Sequence, residues 1–245
     1  MASDEKPSVK AGGEGRVEGK KAPRGGSASA GATVAKQPAR IGLRGSVVRN
    51  PQQREEQRRQ ILAAASRVFA RKSYEGTTMD DIAAEMGSSK GILYYQFHSK
   101  QDLIVETRRE TSGGATQRLK AIAGQQGSVE ERLELALRDL IAANFQEMSR
   151  HVILTPVTMG LDKSHAAKVR AIERGYETVM IALLEEGTAQ GAFIACEVNV
   201  MAFTLIRACL SPAWWYREGG GATESEVTDI VAGLLMRGLK PAILG

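Results

Sequence analysis

Between Thr77 and Lys100 the sequence TTMDDIAAEMGSSKGILYYQFHSK sets two short helix patterns around one glycine. Thr78 is placed to cap a first helix whose Ile82, Ala83 and Met86 fall on one face. Gly87 ends that helix, because glycine enters the left-handed cap conformation without a Cβ penalty. Ser88 or Ser89 can cap a second helix that carries Ile92, Leu93 and Phe97, with Lys90, Tyr94, Tyr95 and Gln96 between them. Two short helices joined through a glycine turn form a helix-turn-helix, a unit that places its second helix in the major groove of DNA.

Groove reading needs the N-terminal end of the second helix at base edges. Here that end is Ser89, Lys90, Gly91 and Ile92. Lys90 can donate to guanine O6 or N7, and Ile92 can pack on a thymine methyl. Gly91 lets the backbone approach closely. Tyr94, Tyr95, Gln96 and Lys100 offer hydroxyl, amide and ammonium groups to phosphates. Thr78 can set its hydroxyl and amide against another phosphate. Leu93 and Phe97, spaced i and i+4, are expected to point into the core, and His98 to face solvent in a turn.

Charge does not by itself argue for nucleic acid. Net charge is +6 over residues 1–50, +1 over 51–112 and −2 over 113–245, so the basic excess sits in the first segment. That segment is rich in Gly, Ala, Lys, Arg and Ser and nearly free of large apolar residues, so a disordered basic tail is expected over 1–50. Its GEGRVEGKK stretch lacks the spacing of a phosphate loop and any preceding strand.

Cys196 and Cys209 lie thirteen residues apart, too few and too far for a zinc site or a disulfide framework, and both are expected as buried thiols. No apolar run suits a membrane span or a secretory signal, so a cytoplasmic location is expected.

Beyond Pro51 the periodicity is helical almost throughout. Ile61, Leu62, Ala65, Val68 and Phe69 form one stripe of a long first helix that ends near Ser73. Ser99-x-x-Asp102, Ser128-x-x-Glu131 and Thr223-x-x-Glu226 have capping-box spacing, and each opens an amphipathic run. Further patterns surround 152–159, 166–187 and 198–216, with Pro156 and Pro212 expected to break two of them. Alternating β-branched strands are absent. The expected fold is all-α: a helix-turn-helix domain over 51–98, then a helical ligand-binding and dimerisation domain over 99–245.

Residues 57–111 resemble the DNA-binding domain of TetR-family transcriptional regulators, through ILAAASRVFA in the first helix and GTTMDDIAAEMGSSKGILYYQFHSKQDL after it. By position, Thr78, Lys90, Gly91, Tyr94, Tyr95 and Lys100 match residues that the family commonly sets against DNA. Two positions depart from the family pattern: Ile92 stands where Thr is frequent and Gln96 where His is frequent, so an operator borrowed from a relative does not transfer. The resemblance implies a homodimer whose C-terminal helices form both a ligand pocket and the dimer interface.

A pocket between helices is apolar with few polar anchors. Phe145, Met148, Met159, Tyr176, Met180, Phe203, Arg207 and Trp214 are the candidate lining residues. Arg207, a cation within MAFTLIRACL, is expected to be buried and to need a partner, either an anionic ligand group or a glutamate such as Glu177. The segment CLSPAWWYREGGGATESEVTDIVAGLLMRGLK resembles the end of TetR relatives linked to fatty-acyl-CoA and sterol catabolism, which implies an acyl-CoA-like ligand. Ile230, Val231, Leu234, Leu235 and Leu239 give the last helix an apolar stripe for self-association, with Ala232, Gly233 and Gly238 permitting close approach.

The expectation is therefore a homodimeric repressor released from a palindromic double-stranded operator by a largely apolar small molecule, with no metal or cofactor. His98, His151 and His165 have no HExxH spacing, and no nucleophile elbow is visible, so catalysis is not expected. The competing reading is an architectural or protein-interaction helix-turn-helix protein without an inducer.

Overall fold

A computed structural model of the chain describes residues 50–155 and 160–241. The expected tail, save Asn50, lies outside the described residues, as do the Pro156 break and the ligand candidate Met159. Eleven α-helices and no strand occur among the described residues, so the all-α expectation holds.

Helix α1 (Pro51–Lys72) starts where Asn50 accepts a bond from the Gln52 amide and Pro51 fixes φ at the first position. It buries Ile61, Leu62, Ala65, Val68 and Phe69, the stripe read from the sequence. Helices α2 (Met79–Glu85) and α3 (Lys90–Gln96) lean on that stripe through Ile82, Leu93 and Phe97, all nearly or fully buried. Each fully buried Leu, Ile or Phe contributes about 1.5–3 kcal/mol, which is what holds two seven-residue helices too short to stand alone.

Helix α4 (Lys100–Arg108) completes this first core with Leu103 and Ile104. It runs on through a π-helical turn (Arg109–Gly113) into α5 (Gly114–Ala123). The sequence did not forecast the π turn. Thr107 and Thr111 hydroxyls bond the carbonyls of Ile104 and Thr107, and paired glycines Gly113 and Gly114 follow, which together ease the wider ring.

Helix α6 (Val129–Ala142) ends in a 3-10 turn (Ala143–Phe145) and α7 (Glu147–Leu154) follows, packing back on α1. The 27-residue α8 (Lys163–Ala189) packs on α4, α5, α6 and α9. Helix α9 (Val198–Leu210) meets the short α10 (Pro212–Trp215) at the expected proline break, and α11 (Glu224–Leu239) lies against α6. Leu133, Leu137, Ile141, Met180, Leu184 and Cys209 centre this second core. Of the two thiols only Cys209 is buried, which pushes its pKa up to about 12; Cys196, placed at the helix-starting turn before α9, is exposed, contrary to expectation.

Candidate DNA-binding surface and ligand cavity

The cap forecast at Thr78 is formed, and as a full capping box: its hydroxyl accepts from the Asp81 amide at 3.2 Å, and its own amide donates to the Asp81 carboxylate at 2.9 Å. The hydroxyl also donates to that carboxylate. Both groups expected to face a phosphate are thus engaged by Asp81, and Thr78 acts on the helix start instead. A Lys72 ammonium 2.6 Å away, with the Thr78 bonds behind it, holds the Asp81 carboxyl down at about 2.

Gly87 takes φ 61°, and the Gly87 and Ser88 amides donate to Ala84 and Ala83 carbonyls at 3.0 Å each. That double closure stops α2 after two turns and turns the chain into α3. Ser89 occupies the cap position of α3, but its side chain accepts no capping bond.

On α3 the faces separate cleanly. Leu93 and Phe97 are buried, whereas Lys90, Gly91, Tyr94 and Tyr95 are exposed, and His98 is exposed in the turn beyond. A Cβ on Gly91 would meet only the Ser89 hydroxyl at 3.8 Å, so nothing within the chain demands glycine there. Lys90 pairs with Asp80 of α2 at 2.5 Å, a contact that raises its pKa and that water screens, since both side chains are 58% exposed. Tyr95 lies under the Arg54 guanidinium at 5.5 Å, and Gln96 donates to Gln57 at 2.8 Å, tying α3 to α1.

Besides Thr78, two members of the set are placed differently from expectation. Ile92 is half-buried against the first core, so only part of it is available to a thymine methyl. Lys100 is a correction: its ammonium donates to the carbonyls of Tyr74, Glu75 and Thr77 at 3.0, 3.2 and 3.0 Å, and sits 4.7 Å from the Tyr74 ring. All three of its protons are spent on the α1–α2 turn, which leaves none for a phosphate.

The second half holds a cavity of about 150 Å³ walled by the end of α4, the π turn, α5 to α10 and the 3-10 turn between α6 and α7. Of the eight forecast lining residues, Tyr176, Arg207 and Trp214 line it. The others among the described residues are corrections. Met180 is wholly buried in the second core, Phe145 packs edge-on against Tyr216, and Met148 belongs to the first core beside α1. Phe203 is 45% exposed, on the outer face of α9 with Val200. Arg207 is exposed at the cavity rim rather than buried, and no carboxylate pairs with it among the described residues.

Sequence reasoning missed Arg108, Thr111, Ser112 and Ala115, which fall at i, i+3, i+4 and i+7 from the end of α4 through the π turn into α5 and line one wall. It also missed Arg118 and Glu173, and named Glu177 only as a partner for Arg207. Arg118 bonds Asp139 at 2.8 and 3.1 Å. The rim is fastened by Asn144, buried beneath it: its amide donates to the Ile141 and Cys209 carbonyls, and its oxygen accepts from the Ala213 amide. Arg150 adds bonds to the Ala213 and Tyr216 carbonyls, so Trp214 is carried on a fixed turn. No cluster able to hold a metal ion occurs among the described residues, and no described helix is long and apolar enough to cross a membrane.

Known proteins match this layout in both halves. The family model for "Bacterial regulatory proteins, tetR family" matches residues 61–107, and that for "Tetracyclin repressor-like, C-terminal domain" matches residues 126–239. The fatty acid metabolism regulator protein of Bacillus subtilis is 26% identical over 136 residues, spanning 54% of this chain and 68% of that protein. The transcriptional repressor KstR2 of Mycolicibacterium smegmatis is 26% identical over 198 residues, spanning 77% of this chain and 93% of its own. The solved structure of AibR with isovaleryl coenzyme A and operator DNA superposes with a TM-score of 0.65 at 22% identity, over 74% of this chain and 98% of that one, which shows a shared fold.

Proposed function

Because the chain belongs to the TetR family of bacterial regulatory proteins, we propose that it is a homodimeric cytoplasmic repressor that leaves a palindromic operator when a small molecule fills the cavity of its second half. One observation carries this reading: the exposed face of α3 is followed at once by α4, whose last residue, Arg108, is part of the cavity wall. A ligand that shifts Arg108 therefore acts on the helix that fixes α3. It can release DNA only through its different affinities for the two arrangements.

Residues 51–98 serve as the DNA-binding domain and residues 99–245 as the ligand and dimer domain, α4 being packed against α1 on one side and α8 on the other. Lys90, Gly91, Tyr94 and Tyr95 are the leading DNA contacts, with Ser89, Ile92 and Gln96 beside them. For a palindrome the two copies of α3 must lie about 34–36 Å apart or a multiple of it. The self-complementary face is the exposed apolar strip of α9 and α11, with Val200, Phe203, Ile230 and Leu234 outward. Tyr176, Arg207 and Trp214, joined by Arg108, are the ligand residues; the group that enters the cavity is largely apolar, as is the acyl end of the isovaleryl coenzyme A in the AibR structure.

Selection of bound sequences from a random DNA pool with the full-length protein tests the reading. A palindromic consensus bound by one or two dimers, and released by some member of a metabolite library, is the expected result. Sequence-independent binding that ignores every small molecule would instead establish an architectural protein.

A further inference from the structure

Two residues that line the cavity each carry a buried donor with no hydrogen-bond partner: Nε of Arg108 and the hydroxyl of Tyr176. Arg108 uses one terminal nitrogen on the Thr155 carbonyl. Its other terminal nitrogen stands 3.6 Å from Glu173, too far for a hydrogen bond, and that carboxylate is 45% exposed. A side chain only 11% exposed thus carries a charge whose ion-pair partner is half in solvent and makes no hydrogen bond to it. Burial lowers the Arg108 pKa, with Glu173 opposing and Arg207 adding to the fall. The guanidinium nevertheless stays charged. Burial likewise raises the Tyr176 pKa, which keeps its hydroxyl a donor.

Resting on the repressor reading above, we propose that the inducer is a compact monocarboxylate whose anion bonds Arg108 and Tyr176. Its apolar body lies against Leu140, Val152, Ile206 and Leu210, all of which line the cavity. The cavity's volume of about 150 Å³ is close to that of a void known to hold benzene, so the part of the ligand held inside it is about six to eight non-hydrogen atoms. A cation would sit against the Arg108 charge. An alcohol or amide could accept the two hydrogen bonds but would leave that charge as poorly compensated as before. A coenzyme A thioester brings no charge to the carbonyl end, and so leaves the Arg108 charge as it was.

Calorimetry on the full chain with benzoate, hexanoate, benzamide, benzyl alcohol and benzoyl coenzyme A tests this, with operator binding measured separately. Benzoate or hexanoate should bind at least ~10-fold more tightly than benzamide or benzyl alcohol, as charge-assisted bonds require. Tyr176→Phe, which keeps the ring and its packing, should weaken the acid by about 3–10-fold and benzyl alcohol, whose bond to the hydroxyl is uncharged, by a smaller factor. Arg108→Met should abolish the preference for acids; thermal melting confirms that it folds, and Tyr176→Phe carries the test if it does not. Equal binding of benzamide, tighter binding of benzoyl coenzyme A, or an unaltered Tyr176→Phe would overturn the proposal. A chain that selects an operator yet binds neither acid loses the carboxylate site and keeps the repressor reading. A chain that binds the acids but selects no DNA sequence loses that reading instead, and with it the acid's role as inducer.

Discussion

Asp102, in the first turn of α4, and His165, in the first turn of α8, face each other at 3.2 Å, while the other imidazole nitrogen lies 2.8 Å from Asp162. The Asp162 amide also donates to the Gln101 side-chain oxygen. One imidazole between two carboxylates therefore joins the helix that follows the DNA-reading element to the longest helix of the cavity domain.

The join depends on pH. Burial disfavours the charged imidazole, but bonds to Asp162 and Asp102 outweigh it and raise the His165 pKa, with Lys168 opposing. The Asp162 carboxyl is lowered by the His165 amide and ring, and burial of Asp102 is outweighed by its bonds to His165 and Ser99. A raised histidine stabilises fully below the unfolded value near ~6.5 and loses its effect as pH climbs through the folded value; lowered carboxylates stabilise above ~4. The latch is thus strongest at about pH 4–6.5. His165→Ala should cost about 1 kcal/mol in urea melts at pH 6 and clearly less at pH 8.5. A cost independent of pH would show that the ring contributes packing alone.

Lys100→Met should destabilise the chain by about 1–3 kcal/mol, because three carbonyls of the α1–α2 turn lose their donor. Operator binding should weaken only as far as the fold loosens, with the slope of affinity against salt unchanged. A stable variant with a flatter salt slope would return Lys100 to the phosphate contacts.

Leu234→Glu should convert the dimer to monomer in sedimentation experiments while leaving the monomer fold intact. Leu234 and Ile230 are over 60% exposed in the single chain, whereas Leu239 is buried and Val231 and Leu235 pack inward. The five-residue stripe read from the sequence is thus two faces of α11, and only one is free for a second copy. Leu239→Glu, by contrast, should unfold the second core rather than split the dimer.

What the sequence made legible was local. The caps at Thr78, Ser128 and Thr223 and the stop at Gly87 depend on residues three or four apart, and all are formed. The outward face of α3 was legible because two buried positions at i and i+4 fix the helix rotation. The cavity was not. Periodicity says that Met180 and Phe203 lie on faces of their helices, but not that one face meets a core and the other opens to solvent. Arg108 resembled a surface residue at the end of the helix-turn-helix match, since its surroundings come from Thr155 and Glu173, far along the chain. Its one sequence signal was the 108, 111, 112, 115 spacing, which continues a wall.

Gly187→Ala should cost about 1–3 kcal/mol or more. A Cβ there would stand 2.1 Å from the Phe193 ring, which is 97% buried in the turn after α8 and cannot swing aside cheaply. The Ala192 and Phe193 amides also bond the Gly187 carbonyl, so the turn itself would move. In a Phe193→Leu background the added cost of Gly187→Ala should shrink markedly in thermal melts. Equal costs in both backgrounds would mean that helix propensity, not the ring contact, decides the position.

Gly91→Ala separates folding from recognition most directly. Within the chain the new methyl meets only the Ser89 hydroxyl at 3.8 Å, so stability should hold or rise by up to about 1 kcal/mol, the helix preference of alanine over glycine. Operator affinity should fall by tenfold or more (~1.4 kcal/mol), because the methyl stands between α3 and the groove. Lys90→Ala should act on selectivity instead, reducing discrimination at one base pair by about 1–3 kcal/mol. Asp80→Asn, which frees Lys90 from its 2.5 Å partner, should tighten binding at low salt and lose that gain at high salt. Footprinting with all three variants against the selected operator reads these effects side by side. Unchanged affinity in Gly91→Ala and unchanged preference in Lys90→Ala would remove α3 from the groove, since no other effect of those two substitutions could hide its contribution.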